Sequence, residues 1–501
     1  MANQKKSFFF GVIVDLLGMP VTSLLGFVMV PVYLNYITVD EFGYWTTILE
    51  MANFAGLFWS SMEFYLIQQV SGNLSNREVQ EKAIANASAT ISIWVTLTLG
   101  LLFLGALAFP NYLETIRFAH FSGLISLVTI WAVLKSYRHL LSCIVIGQNR
   151  MALANSFTLM TMIGFLILPW VYLKIGFGLL SFGYGYLSTF AAVSSLEFFL
   201  VGGLFLKSLK PRYLSKISLK ESLVFSFQTF TSKLSLQLYG NINILLVAWG
   251  LGTVQVVVYS LTLKLTNFSK TIVPRIVSSG YPSFSRLLAE GHQTRMEEVI
   301  GKIFRFSLRF GLLLSFVIFF LNEVFVTHWV GADKFAGSSF TLIAALFCLK
   351  ESTTSIFYQT VFATKEIKRA NQIIVLESVL NVILVIVFMK LWGVTGVLLA
   401  TLLATGILSP VYLVYKSKKL TGIRIGCLLS SCNRVVFKSL PSMGILYYGQ
   451  SLLEANFTWV GLFGWPAVAG LVNLMLFEGL LILDIRHLGP KEMIKEIIER
   501  S

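Results

Sequence analysis

Apolar stretches of about 20 residues, the length a helix needs to cross the hydrocarbon of a bilayer, recur along this chain from one end to the other. No other feature narrows so far what it can become. A backbone in hydrocarbon must bond its own polar groups, so such stretches become helices. The pattern predicts helices over 8–37, 42–70, 84–109, 121–147, 151–173, 177–206, 222–249, 254–284, 303–327, 337–363, 370–390, 394–415, 433–452 and 458–485, the thirteenth interrupted by Lys438 and Pro441. Only 13% of the 501 residues are charged, about half the roughly 25% of soluble domains. The mean hydropathy is +0.76. The expected fold is therefore all-α and integral to a membrane, with about fourteen transmembrane helices.

The basic residues orient these segments. With the N-terminus placed in the cytoplasm, 25 of the 39 lysines and arginines fall on the cytoplasmic side and 4 on the other (Arg117, Lys174, Lys334 and Lys390), the remainder lying inside segments. That asymmetry is the positive-inside rule. It accounts for most of the +15 net charge, so no nucleic-acid partner is expected. Both termini are expected inside, and the first apolar segment runs too far for a cleaved signal peptide. After the last span, Met493, Ile494, Ile497 and Ile498 form a stripe at helical spacing beside Lys491, Lys495 and Arg500. This predicts a short helix on the cytoplasmic face.

The chain also repeats itself. Thr38 and Tyr44 recur as Thr253 and Tyr259; Ala154-Asn155 recurs as Ala370-Asn371, and Lys174 as Lys390, at offsets of 215 or 216. A repeat of six helices is even, so both copies enter the membrane the same way round, related by a pseudo-twofold along the membrane normal. The expected organisation is a six-helix bundle over 1–206, a cytoplasmic linker over 207–221, a second bundle over 222–415, a cytoplasmic loop over 416–432, two further helices over 433–485 and a cytoplasmic tail over 486–501.

Charges inside the segments are the candidate functional groups, because hydrocarbon makes them expensive. Lys135, Arg138 and His139 are spaced to share a helix face. Thr229, Lys233, Gln237 and Asn241 repeat every four residues as a polar stripe. Lys264, Lys270, Arg275 and Lys350 add further cations, Arg275 lying near enough to the cytoplasm to snorkel. Glu351 follows Lys350 directly and is placed to neutralise it; Glu197 and Glu377 are also buried in segments. Fixed cations in a wet cavity replace the hydration of a phosphate with charge-assisted hydrogen bonds. The expected cargo is therefore anionic. Asp15, Glu50 and Glu63 are carboxylates able to couple transport to protons or sodium ions. Structural ion pairing is the competing reading of the same charges.

Soluble-enzyme signatures are missing: there is no Gly-rich phosphate loop with its lysine and no His-Glu-x-x-His. Cys143, Cys348, Cys427 and Cys432 are too scattered for a disulfide framework. No metal, cofactor or catalytic residue is expected.

Three local runs carry a family resemblance: Pro31-Val-Tyr-Leu34 to Thr38-Val-Asp-Glu-Phe-Gly-Tyr-Trp45, Asn241-Ile-Asn243 through Leu251-Gly-Thr253 to Tyr259, and Tyr281-Pro-Ser-Phe-Ser285-Arg286. They resemble the polysaccharide-flippase branch of the multidrug/oligosaccharidyl-lipid/polysaccharide exporter superfamily. The resemblance implies two six-helix bundles that open alternately to either side of the cytoplasmic (inner) membrane. It implies as cargo an undecaprenyl-pyrophosphate-linked oligosaccharide, an O-antigen, capsule or exopolysaccharide repeat unit. Partners implied are that lipid-linked oligosaccharide, membrane lipids, and a glycan polymerase with other polysaccharide-assembly proteins around a monomer. An ion-coupled antiporter of small molecules is the chief rival. The arginine-rich first helix of lipid II flippases is not found, and the short outer loops argue against a membrane glycan polymerase.

Overall fold

The structure is a computed structural model describing residues 2–74, 76–108, 118–279, 293–363, 367–421 and 425–476. Among these it is helical, with turns and no strand. Eight stretches are long and apolar enough to cross a membrane, including Met151–Ile175, Leu180–Ser208 and Val299–Val330. The tail over 486–501, the Tyr281–Arg286 run and the end of the last predicted segment lie outside the described residues.

The chain forms two compact units, Met1–Val257 with Ser378–Lys390, and Val258–Glu377 with Leu391–Ser501. The first unit holds α1 (Ala2–Leu34), α2 (Val39–Ser60), α3 (Glu63–Gly72), α4 (Arg77–Ala108), α5 (Phe118–Gly147), α6 (Met151–Ile175), α7 (Leu180–Ser208), α8 (Lys216–Gly240) and α9 (Ile242–Leu251). Helix α10 (Thr253–Thr262) leads into the second unit. There follow α11 (Lys264–Ser279), α12 (Gln293–Val330), α13 (Ser338–Ala363), α14 (Ile367–Gly406), α15 (Leu408–Thr421), α16 (Ile425–Ala455) and α17 (Trp459–Leu476). Helices α8 and α9, which the repeat allots to the second bundle, belong to the first compact unit.

Local chemistry sets several boundaries. Thr38 and Glu41 form a reciprocal capping box at the start of α2, the Thr38 amide donating to Glu41 Oε2 at 2.8 Å and the Glu41 amide to Thr38 Oγ1 at 3.2 Å. Each satisfies a donor that the helix start leaves orphaned. The apolar stretch Gln372–Leu420 is 49 residues long, roughly 70 Å as one helix and more than twice a bilayer core. It cannot run straight across. The break falls at Trp392 and Gly393, where Gly393 adopts φ 56° and ψ −139°, a conformation open essentially to glycine alone. The expected segments at 370–390 and 394–415 meet at that break.

Other predicted segments are discontinuous. The one at 42–70 is α2 and α3, parted at Ser61 and Met62, and the one at 222–249 is α8 and α9, parted at Asn241. The thirteenth predicted segment, whose apolar pattern Lys438 and Pro441 interrupt, is nonetheless one helix: α16 runs through both. Proline removes only one helical donor there, and the rest of the ladder, with Ser439 Oγ bonded to the Val435 carbonyl at 2.9 Å, continues across it.

The first unit has an aromatic core. Trp45 stacks on Phe182 with centroids 4.7 Å apart, and Tyr186 lies 4.0 Å from Phe165 and 5.1 Å from Trp131. Tyr33, Trp45, Trp131 and Phe182 are all buried. Hydroxyl groups join α4 to α8, where Thr90 meets Ser222 at 2.7 Å and Trp94 Nε1 donates to Ser226 Oγ at 2.8 Å. The linker is fastened to the same helix: Asn86 Nδ2 donates to the Tyr213 carbonyl at 3.3 Å. The second unit is held by an apolar core in which Ile300, Phe304, Ile356, Val361, Leu413 and Val435 are buried together.

Candidate functional site

The polar stripe along α8 brings the first unit's charges together. Thr229 spends its hydroxyl on its own helix, bonding the Phe225 carbonyl at 3.0 Å. One turn on, Lys233 Nζ donates to the Ser60 carbonyl at 2.8 Å and to Glu63 Oε2 at 3.3 Å. A further turn on, Gln237 Nε2 donates to Glu50 Oε1 at 2.8 Å. Asn241 closes α8 and is exposed. The stripe thus faces α2 and α3 through its two middle members.

Helix α5 supplies three more groups, and their targets diverge. Arg138 makes a two-pronged ion pair with Glu197 on α7, Nε to Oε2 at 3.0 Å and Nη2 to Oε1 at 3.1 Å. Glu197 is fully buried, and the Arg138 side chain is 13% exposed. Two parallel charge-assisted bonds of this kind repay much of the desolvation of both ions. His139 Nε2 points towards α3, 3.7 Å from Glu63 Oε2, beyond direct hydrogen-bond reach. Lys135 Nζ lies over the Trp131 ring at 4.7 Å. Sharing one helix face therefore does not make these three converge on one ligand.

Charge bookkeeping separates the units. In the first, Lys135, Arg138 and Lys233 are matched in number by Glu50, Glu63 and Glu197. In the second, Lys270 and Lys350 approach the same buried ring, Phe347, at 5.5 and 5.3 Å. Lys350 pairs with Glu351 at 2.7 Å and donates to Thr405 Oγ1 at 3.0 Å, in line with the sequence expectation. Lys264, first residue of α11, has no hydrogen bond or ion pair with the described residues. Glu377 is fully buried and taken up by Ser409, whose amide donates to it at 2.6 Å. Arg275 is exposed, and Arg309 Nε donates to Asn473 Oδ1 at 2.6 Å. Asp15 lies within α1, its side chain outside the described residues.

Sequence spacing did not anticipate the uncharged partners. The Ser60 carbonyl carries no side-chain signal at all. Asn243 and Asn381 bond each other inside the first unit at 3.2 Å; polar amides within apolar runs were the available sign. No group of three or more metal-ligating side chains occurs among the described residues.

Residues 9–288 match the family model described as polysaccharide biosynthesis protein. Among solved structures, the lipid II flippase MurJ in an inward closed conformation superposes with a TM-score of 0.71 at 18% identity, covering 95% of this chain and 99% of that one. An inward-facing multidrug resistance MATE family transporter of the MOP superfamily gives 0.61 at 12% identity, covering 81% and 98%. The Vibrio cholerae MATE transporter VcmN in its bent form gives 0.51 at 14%, covering 85% and 97%. At these identities the likeness is one of fold. No curated protein sequence matches this chain.

Proposed function

The chain belongs to the polysaccharide biosynthesis protein family, and from that premise we propose that it flips a polyprenyl-pyrophosphate-linked oligosaccharide across the cytoplasmic membrane. In this reading fourteen helices, as two six-helix bundles and a final pair, open alternately to either side, with both termini in the cytoplasm. The observation that carries the cargo assignment is the pair of lysines, Lys270 and Lys350, whose ammonium groups lie 5.5 and 5.3 Å from the Phe347 ring, with Lys264 on the same helix as Lys270. Across the second unit Lys264, Lys270 and Lys350 stand against the carboxylates of Glu351 and Glu377, and Glu377 is already held by Ser409. Ammonium groups beside an apolar ring suit a ligand that is a phosphate at one end and a lipid at the other. The first unit's charges are matched among themselves, so Arg138 and Lys233 serve there as fasteners, while Lys135 lies over Trp131 within the field of Glu50.

The test is surface glycan in cells lacking the resident copy of the gene. Lys270→Ala and Lys350→Ala, each present in the membrane at wild-type level, are expected to cut surface polysaccharide about tenfold or more, one lost charge-assisted bond being worth about 1.5–3 kcal/mol. Lipid-linked units should accumulate on the inner leaflet, and Lys270→Arg should retain activity. Normal surface glycan in the alanine variants sinks the assignment. Growth rescue on depletion of the lipid II flippase would favour that cargo instead, and drug resistance on overexpression would favour an antiporter.

A further inference from the structure

The α2–α3 interruption is built like a cation site, and it is filled from within the chain. Helix α2 ends at Ser60, and its last carbonyls have no partner further along the helix. They also form the negative end of the helix dipole. Helix α3 then opens on Glu63, a carboxylate at a helix start. The ammonium of Lys233 sits between the two, bonded to the Ser60 carbonyl at 2.8 Å and to Glu63 Oε2 at 3.3 Å. Next to it, the buried Ser61 hydroxyl is taken by Ser226, seven residues before Lys233 on the same helix.

A main-chain carbonyl at a helix end plus a carboxylate is the donor set with which broken membrane helices coordinate a monovalent ion. An ammonium is a compact point charge and meets the same oxygens. We propose that the α2–α3 break is a monovalent-cation site in which Lys233 is the resident cation. A cation tethered to α8 cannot be exchanged with solvent. The break is thereby kept neutral whatever the sodium or potassium level, and it draws nothing from an ion gradient. Removing the lysine should uncover a site for a free alkali ion.

The experiment is thermal unfolding of the purified full-length chain in detergent, in sodium, potassium or choline chloride at constant ionic strength. Wild type is expected to unfold at one temperature in all three. Lys233→Ala is expected to unfold lower in choline and to gain a saturable upward shift of about 5 °C in sodium or potassium. Adding Glu63→Gln to that variant should abolish the gain. Lys233→Gln, which retains a donor for the Ser60 carbonyl, is the second variant should alanine not fold in choline. Three results overturn the proposal: equal unfolding temperatures for the variants in every salt, failure of both variants to fold in alkali salt as in choline, or a sodium-dependent wild type whose response Glu63→Gln removes. The readout is ion binding, so it stands or falls separately from the flipping of a lipid-linked glycan.

Discussion

Arg138 and Glu197 carry the greatest energetic stake of any single pair in the first unit. Glu197 has no exposure to solvent, so its charge depends on the guanidinium. Arg138→Ala strands a buried carboxylate and is expected to cost about 3–5 kcal/mol, read as a lowered unfolding temperature in detergent. Arg138→Ala with Glu197→Gln removes both charges and should recover most of the loss; no recovery would mean the pair is incidental. The sequence disclosed that Arg138 sits within a membrane segment and shares a face with Lys135 and His139. It could not disclose the partner, which is 59 residues away on a helix two elements later. Spacing reports neighbours along one helix, while pairing across helices depends on packing that no local period encodes.

At the scale of elements, the close approach of α2 to the start of α10 is the least forgiving contact. A methyl group on Gly43 would stand 2.0 Å from the Thr253 carbonyl oxygen, a backbone atom with no rotamer to yield. The same contact is tied by Thr253 Oγ1, which donates to Asp40. Gly43→Ala is expected to destabilise by about 1–3 kcal/mol through forced backbone movement, and a bulkier Gly43→Val to leave little folded protein by size-exclusion chromatography. Wild-type elution and unfolding of both variants would refute it. Thr38, Tyr44, Thr253 and Tyr259 stood out in the sequence as a repeat, and the two turns they mark are where this contact forms. Apolar length gave the positions of the helices well, since hydrocarbon demands it. The interruption at Ser61–Met62 escaped because neither residue is a strong breaker by propensity, whereas the one at Asn241 carried a readable sign, Gly240-Asn241, a helix-ending pair inside an otherwise apolar run. Conversely Pro441 is such a breaker, and α16 carries it through.

For the whole molecule, hydropathy and charge asymmetry made the class legible before any coordinates, because a bilayer constrains composition more severely than water does. The charge balance within each unit was not legible. It needs to be known which carboxylate answers which cation, and only then do the lysines of the second unit stand out from the matched set of the first. The same matching has a consequence for how the chain is made. Arg138 enters the membrane on α5, and Glu197 emerges only with α7. At about 5–20 residues per second, the 59 residues between them keep the arginine waiting roughly 3–12 s. Alone at mid-membrane it is unfavourable by about 2.5–3.5 kcal/mol. During that interval α5 is expected to remain beside the insertion machinery rather than enter lipid. Nascent chains ending at Ile175 should show less membrane-integrated α5 by protease protection than chains ending at Ser208, and Arg138→Leu should erase the difference. Equal integration of the two lengths would show that the arginine does not wait. Less integration of the shorter chain would give synthesis of the first unit a checkpoint, a helix held back until its counter-ion arrives.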